Sequence, residues 1–239
     1  MADGDCDRAA TKGGDEVAGP PPAHPAGRGF VGGRVRIEPL ETARHGSALV
    51  DALAGDGDRT RWRYFAAGAF ADATRLLDWL EDAEGGLDPD PLAVVDAADG
   101  RARGVLSRMA IVPAHRRVEI GSVAFGVGLA RTAGATEALR LVIGDLFDLG
   151  YRRVEWKCDA RHAASRRAAE RLGFVFEGVF RRHMVIRGAS RDTAWYALTD
   201  DRWPVVAAAM DAWLDPANFD ASGRQRTPLR VPGTADARS

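Results

Sequence analysis

Six residues between a candidate strand and a candidate helix, Arg131 to Thr136, have the types and spacing to bind an anion. The segment before them, Val118 to Leu129, is rich in Val, Ile and Phe and lacks proline, which favours a strand. The apolar residues after them recur three and four apart until Gly150, which favours a helix. A helix start presents unpaired N–H groups and the positive end of the helix dipole, so a phosphate or pyrophosphate is the expected ligand.

Two known phosphate-binding motifs do not fit this turn. The Rossmann motif needs three glycines, and Gly126, Gly128 and Arg131 occupy those positions. A P-loop needs lysine in the turn, and the two lysines, Lys12 and Lys157, lie elsewhere. The remaining pattern, Arg-x-x-Gly-x-Thr, resembles the acyl-CoA loop of the GNAT acyltransferases, although Thr136 replaces the family's final Gly or Ala. An ordinary strand–turn–helix stays open as the alternative.

Later segments extend the resemblance. A second strand at Val154 to Asp159, a short helix opening at Ser165 and the run Leu172-Gly173-Phe174 follow the order of the second half of the GNAT fold. His162 stands where the family has Asn. Two further runs, 177–181 and 191–195, are similar to the branch that acylates ribosomal-protein N-termini, the Rim-type acetyltransferases. The resemblance spans Arg34 to Leu214.

This resemblance implies a cosubstrate, an acceptor and a set of binding residues. The cosubstrate is acetyl-CoA or succinyl-CoA, without a metal, and the acceptor is a primary amine on a small molecule or a protein N-terminus. Because the loop backbone would approach the pyrophosphate closely, we expect Gly134→Val to abolish CoA binding while the fold survives. The cofactor-binding candidates are Val127, Leu129, Arg131, Thr132, Ala133, Gly134, Ala135, Thr136, His162 and Ser165.

Glu119 is the candidate general base. It begins the strand before the loop and shares the odd-numbered face with Val123, Phe125 and Val127 if no bulge intervenes. A carboxylate on an apolar face tends to have a raised pKa, which suits the uptake of a proton from an ammonium group. The alternative is a surface ion pair with Arg116 or Arg117.

Protonation of the leaving thiolate is less well specified. The helix from Ser165 to Leu172 lacks the tyrosine of other GNAT branches, so Ser165 is the second catalytic candidate. A helix-start serine that bonds cofactor or backbone is its alternative role. Cys158, in a strand, is expected to be buried and inert.

The resemblance to the Rim-type enzymes, which have a similar aromatic loop beside the substrate, implies that an aromatic run near the N-terminal helices lines the acceptor pocket. The candidates are Trp62, Tyr64 and Phe65, together with Arg108. A hydrophobic plug over the first helix is the alternative for the aromatic residues. Arg63 or Arg108 could take the carboxylate of a succinyl donor.

Composition limits the class of protein. The 239 residues carry a net charge of −1, which gives no global electrostatic reason to expect nucleic acid or membrane as a partner. No apolar run reaches the length of a membrane span, and the N-terminus lacks the apolar core of a signal peptide, so we expect a cytoplasmic protein. Two cysteines cannot build a disulfide framework or a zinc site. A homodimer stays open.

The predicted fold is α/β (α+β), with a mixed, mostly antiparallel sheet of about six to seven strands and helices on both faces. Residues 1–28, rich in Ala, Gly, Asp and Pro, are expected to be a disordered tail. Residues 34–214 form the expected acyltransferase domain, and 215–239 an extension with a frayed end. A domain that binds acyl-CoA without turning it over is the alternative to an enzyme.

Overall fold

The computed structural model describes residues 17–54, 59–70 and 72–232, which form five α-helices and eight strands. The strands are β1 (Phe30–Val31), β2 (Val35–Pro39), β3 (Asp90–Asp96), β4 (Ala102–Val112), β5 (Arg117–Phe125), β6 (Arg153–Asp159), β7 (Val175–Ile186) and β8 (Ala189–Thr199). The helices are α1 (Thr42–Leu53), α2 (Ala73–Ala83), α3 (Ala133–Asp148), α4 (Ala163–Arg171) and α5 (Trp203–Leu214). No helix of these residues is long and apolar enough to cross a membrane.

All eight strands form one sheet in the order β1-β2-β3-β4-β5-β6-β8-β7. Every neighbouring pair is antiparallel except β5 and β6, which the crossover helix α3 joins in parallel. The predicted mixed, mostly antiparallel class is therefore confirmed. The sheet has one strand more than the upper expectation, and the two-residue β1 is too short to show any periodicity in the sequence.

Helices cover both faces of the sheet, as predicted, and each face has its own apolar core. Helices α3, α4 and α5 pack on one face, where Val142, Leu146 and Met210 are fully buried. Helices α1 and α2 pack on the other face, where Leu49 and Leu76 are fully buried. We call these the α3 face and the α1 face.

A bulge in β5 moves residues of this strand from one face to the other. Gly121 pairs with Ser107 and Ala124 with Val105, so one extra residue is inserted in β5 near Ser122, whose φ is 49°. Val123 packs in the core of the α3 face, and Ala124 in that of the α1 face. The expectation that Glu119 shares a face with Val123 and Phe125 is therefore wrong.

Parts of both terminal segments are attached to the domain. Residues 17–28 belong to the expected disordered tail, yet the Arg116 guanidinium donates to the carbonyls of Ala18, Gly19 and Pro20 at 2.8–2.9 Å. Arg28 binds the Asp145 carboxylate at 2.5 Å, so polar contacts hold a segment with little apolar surface. The rest of that tail, residues 1–16, lies outside the described residues.

The C-terminal extension also packs on the domain. Beyond α5 the chain turns back, and Leu229 and Val231 are buried in the core of the α3 face. The expected frayed end of this extension therefore does not include Leu229 or Val231. Residues 233–239 lie outside the described residues.

Candidate functional site

A cavity of about 650 Å³ opens on the α3 face where β5 and β6 separate. The two strands are paired only from Arg117 and Arg153 to Glu119 and Glu155. Beyond that point the bulge turns β5 away, and a wedge opens between the strands. Apolar side chains on its walls come from β5, α3, β6, α4 and α5 and from the segments after the last two: Val123, Phe125, Leu139, Trp156, Ala168, Leu172, Trp213 and Phe219.

The predicted anion-binding turn forms one side of this cavity. Helix α3 begins at Ala133, and the Thr132 hydroxyl accepts the N–H of Ala135 at 3.3 Å. Thr132 is thus an N-cap residue, and the first N–H groups of α3 lie at the cavity. Arg131 has a φ of 66°, a left-handed conformation that turns the chain sharply into the helix. The cavity lining includes Arg131, Thr132, Ala133, Ala135 and Thr136.

The sequence predicted that the strand continues to Leu129. The structure shows that the residues just before this turn are not part of the strand. Strand β5 ends at Phe125, and the N–H groups of Leu129 and Ala130 both bond back to the Gly126 carbonyl. Val127 is 69% exposed, whereas Leu129 is buried in the core. The N–H of Leu129 already bonds to Gly126. Val127 and Leu129, two of the cofactor-binding candidates, therefore do not offer the extended strand edge with which pantetheine amides could pair.

Glu119 lies on the opposite side of the sheet from the cavity, at the point where β5 and β6 separate. It pairs in register with Glu155 and is 2% exposed. Its Oε2 lies 2.7 Å from Lys157 Nζ, so neither Arg116 nor Arg117, the partners weighed from the sequence, neutralises it. Burial raises the pKa of the Glu119 carboxyl above its ordinary value, although Lys157 lowers it.

Comparisons with known proteins agree on one family. The family model described as the acetyltransferase (GNAT) domain matches residues 34–175. A crystal structure of a GCN5-related N-acetyltransferase from Brucella melitensis is 42% identical, covers 88% of this chain and 96% of its own, and has a TM-score of 0.85. The chain belongs to the GNAT acetyltransferase family.

More distant GNAT structures match as well. A GNAT-family protein from Chromobacterium violaceum is 36% identical over 80% of this chain and 96% of its own, with a TM-score of 0.74. A protein assigned to the ribosomal-protein-serine acetyltransferases of Vibrio cholerae covers 72% of this chain and 97% of its own at 17% identity, with a TM-score of 0.62, which shows the shared fold alone. No curated protein matches the chain.

Ser165 lies at the cavity, near the start of α4. Its Oγ accepts a hydrogen bond from Trp156 Nε1 at 3.0 Å, which leaves the hydroxyl proton able to point elsewhere. The Cys158 thiol also contacts this hydroxyl, and burial raises the pKa of the thiol. A buried thiol with a raised pKa is a poor nucleophile, as the sequence suggested.

His162 lies at the cavity and connects it to the aromatic run. Its ring stacks on Tyr64, with 4.3 Å between ring centroids, and the Tyr64 hydroxyl donates to the Arg161 carbonyl at 3.2 Å. Burial lowers the pKa of His162, which favours the neutral imidazole.

The other residues assigned to the acceptor pocket are structural. Trp62 is 3% exposed and contacts Phe65 edge to face in the core of the α1 face. These two residues therefore pack as the hydrophobic plug that was the alternative to a pocket wall. Arg108 is fully buried, 2.6 Å from Asp90 and 3.7 Å from Asp145. A pocket role for Arg108 is wrong, because two carboxylates distant in sequence hold its guanidinium inside the protein.

Gly134 has a packing role that the sequence did not suggest. A Cβ at this position would lie 3.1 Å from Val35 Cγ1 and 3.4 Å from Leu129 Cδ1. The missing side chain therefore allows α3 to pack on β2. The effect of a side chain at this position on CoA binding stays a prediction.

Several cavity residues were not recognised in the sequence. Arg171 and Arg224 add two cations beside Arg131, and Arg224 and Gln225 come from the C-terminal extension. Arg171 also donates to the Thr136 hydroxyl at 3.1 Å. No local motif marks the extension residues. By contrast, the alternation Val-Glu-Trp-Lys-Cys-Asp in β6 could have placed Lys157 opposite the core face.

Proposed function

We propose that this GNAT protein transfers an acetyl or succinyl group from acyl-CoA to a primary amine by direct attack. One observation carries the proposal: the cavity and Glu119 approach the same separation of β5 and β6 from opposite faces of the sheet. A thioester in the wedge and an amine beside Glu119 would meet at that gap.

The donor would lie along the cavity on the α3 face. Its pyrophosphate fits the helix start at Thr132–Thr136, where N–H groups and the helix dipole favour an anion. Arg131, Arg171 and Arg224 surround the cavity with three further cations that suit phosphates. The apolar wall toward Trp156 then suits the pantetheine arm and the acyl group.

Glu119 would act on the acceptor from the other face. An amine reaches the active site as an ammonium ion and must lose a proton before its nitrogen can attack. The raised pKa of the buried Glu119 carboxyl makes it a better proton acceptor than an exposed glutamate. Lys157, 21% exposed at its side chain, would hold the carboxylate in place until the ammonium approaches.

The chemical step forms one bond and breaks one. The neutral amine nitrogen attacks the thioester carbonyl carbon, and the C–S bond then breaks with its electron pair on sulfur. The proton lost from the ammonium goes to Glu119. The second proton, which the attacking nitrogen loses as the amide forms, goes to the thiolate, which leaves as CoA thiol. The Ser165 hydroxyl, in the cavity and oriented by Trp156, is suited to donate a hydrogen bond to that sulfur.

Thiol release from acetyl-CoA in the presence of a panel of amines tests the proposal. Amine-dependent release is expected for the wild type, and Glu119→Gln should lower kcat roughly a hundredfold, the usual value of a general base. Acetyl-CoA affinity, measured by calorimetry, should change little because Glu119 is outside the cavity. Glu155→Gln is the matched control, since Glu155 lies beside Glu119 but pairs with Arg117 and Arg153.

Two outcomes would contradict the proposal in different ways. If Glu119→Gln keeps normal turnover, the protein is still an acyltransferase, but Glu119 is not its general base. If acetyl-CoA binds and no amine promotes thiol release, the chain is a non-catalytic acyl-CoA-binding protein.

A further inference from the structure

A second cavity, of about 210 Å³, lies beside Tyr64. It receives Asp159, which alternation places with Glu155 and Lys157 on the Glu119 side of β6. Four of its eight lining residues are arginines, which come from the aromatic run, the β6–α4 turn and the β7–β8 hairpin: Arg63, Arg161, Arg187 and Arg191. One carboxylate, that of Asp159, faces them.

The positive charge of this arginine cavity is largely unneutralised. The Asp159 carboxylate already pairs with Arg161, whose guanidinium donates two hydrogen bonds to it, of 2.9 and 2.7 Å. Among the described residues, the other three guanidinium groups have no carboxylate within ion-pair distance. Arg187 instead donates to the Arg63 carbonyl at 2.6 Å, which fixes the aromatic run against the hairpin.

Arg191 is the arginine whose environment most requires a ligand. Its Nε is buried and has no hydrogen-bond partner among the residues that the structure describes. A buried donor without an acceptor costs about 1–3 kcal/mol, so such donors are usually satisfied by water or a ligand. An anionic oxygen bound in the cavity by the Arg191 guanidinium would neutralise its charge.

One pair of stacked rings separates the arginine cavity from the 650 Å³ cavity on the α3 face. His162 lines the cavity on the α3 face, Tyr64 lines the arginine cavity, and the two ring centroids are 4.3 Å apart. A molecule held at the arginines could therefore extend an amine toward Glu119. The donor phosphates have their own cations, Arg131, Arg171 and Arg224, in the other cavity.

We infer that the arginine cavity binds an anionic group, a phosphate or a carboxylate, carried by the acceptor amine. The inference rests on the proposed function and narrows it, since it selects small amines that bear a negative charge over neutral ones. Arg191 is the specificity residue, and Arg63 adds a second unneutralised charge.

Paired acceptors test this inference in the thiol-release assay. O-phosphoethanolamine is compared with ethanolamine, and glycine with glycinamide, at saturating acetyl-CoA. We expect kcat/KM to favour the anionic member, and Arg191→Gln to reduce that preference roughly ten- to a hundredfold, mainly through KM. The preference, kcat/KM for the anionic amine divided by that for the neutral amine, is compared between variant and wild type. Differences in amine basicity affect both proteins equally and therefore cancel. Arg181→Gln, at an exposed arginine of the same hairpin outside the cavity, should leave the preference unchanged.

Each other outcome has a defined meaning. If both members of each pair react equally, or Arg191→Gln lowers both equally, the inference is wrong and the proposed function survives. If Arg191→Gln selectively lowers turnover with succinyl-CoA and not with anionic acceptors, the cavity serves the donor and the inference is again wrong. If no amine at all promotes thiol release, the proposed function itself fails.

Discussion

The buried ion cluster around Arg108 gives a stability prediction whose size follows from its geometry. Arg108 is fully buried, 2.6 Å from Asp90 and 3.7 Å from Asp145, and Asp145 also binds Arg28. Arg108→Met keeps most of the side-chain volume but removes the charge that the carboxylates face. Removing one partner of a buried pair costs about 3–5 kcal/mol. For a domain of this size that lowers Tm by roughly 6–20 °C.

The penalty should depend on pH in a defined direction. Burial raises the pKa of Asp90 in the folded protein, and Arg108 opposes that rise. Without Arg108 the folded pKa rises further, so the ionised carboxylate destabilises the fold most at neutral pH. As the pH falls through the raised folded pKa toward the ordinary pKa of an aspartate, Asp90 takes up its proton in the folded state, and the difference between variant and wild type should shrink.

Urea unfolding of Arg108→Met at pH 7 and near pH 4 measures both effects. Arg152→Met is the control, because the Arg152–Asp200 pair, 2.9 Å apart, is at the surface and should contribute at most about 1 kcal/mol. A variant as stable as this control at pH 7, or equally destabilised at both pH values, would refute the interpretation of a buried charge cluster.

Three further predictions concern the site. Trp62→Ala should cost about 3–5 kcal/mol in urea unfolding, because Trp62 belongs to the core, and a loss in acceptor KM alone would contradict this. Lys157→Met should move the acid limb of the kcat/KM profile to higher pH, since Lys157 lowers the pKa of Glu119. If the limb does not move, it reports the titration of a group other than Glu119. Gly134→Val should destabilise the fold by about 1–3 kcal/mol through contact with Val35, and a fully stable variant that binds no CoA would restore the original interpretation of this glycine.

Local pattern was enough to predict the fold class and the position of the turn between β5 and α3. The spacing around Arg131–Thr136 placed the junction correctly because caps and helix periodicity are local properties. The end of β5 was placed too late, since Val127 and Leu129 are apolar whether they extend a strand or close a turn.

The site residues that were misplaced depend on long-range geometry. One extra residue near Ser122 moves the residues after it to the opposite face of the sheet from the one that alternation predicts. The sequence Gly121-Ser122-Val123 contains no signal that predicts this bulge. The partners of Arg108 lie 18 and 37 residues away, and the tertiary fold alone brings them together. Arg224 reaches the cavity from a polar extension without a motif.

A crystal structure of the protein with acetyl-CoA tests most directly whether the donor and Glu119 meet between β5 and β6. We expect the pyrophosphate at the N–H groups of Ala133 and Gly134, and the thioester in the gap between β5 and β6. The thioester carbonyl carbon should be open to approach from the Glu119 side. A pyrophosphate bound away from Arg131–Thr136, or a thioester turned away from that gap, would contradict the account.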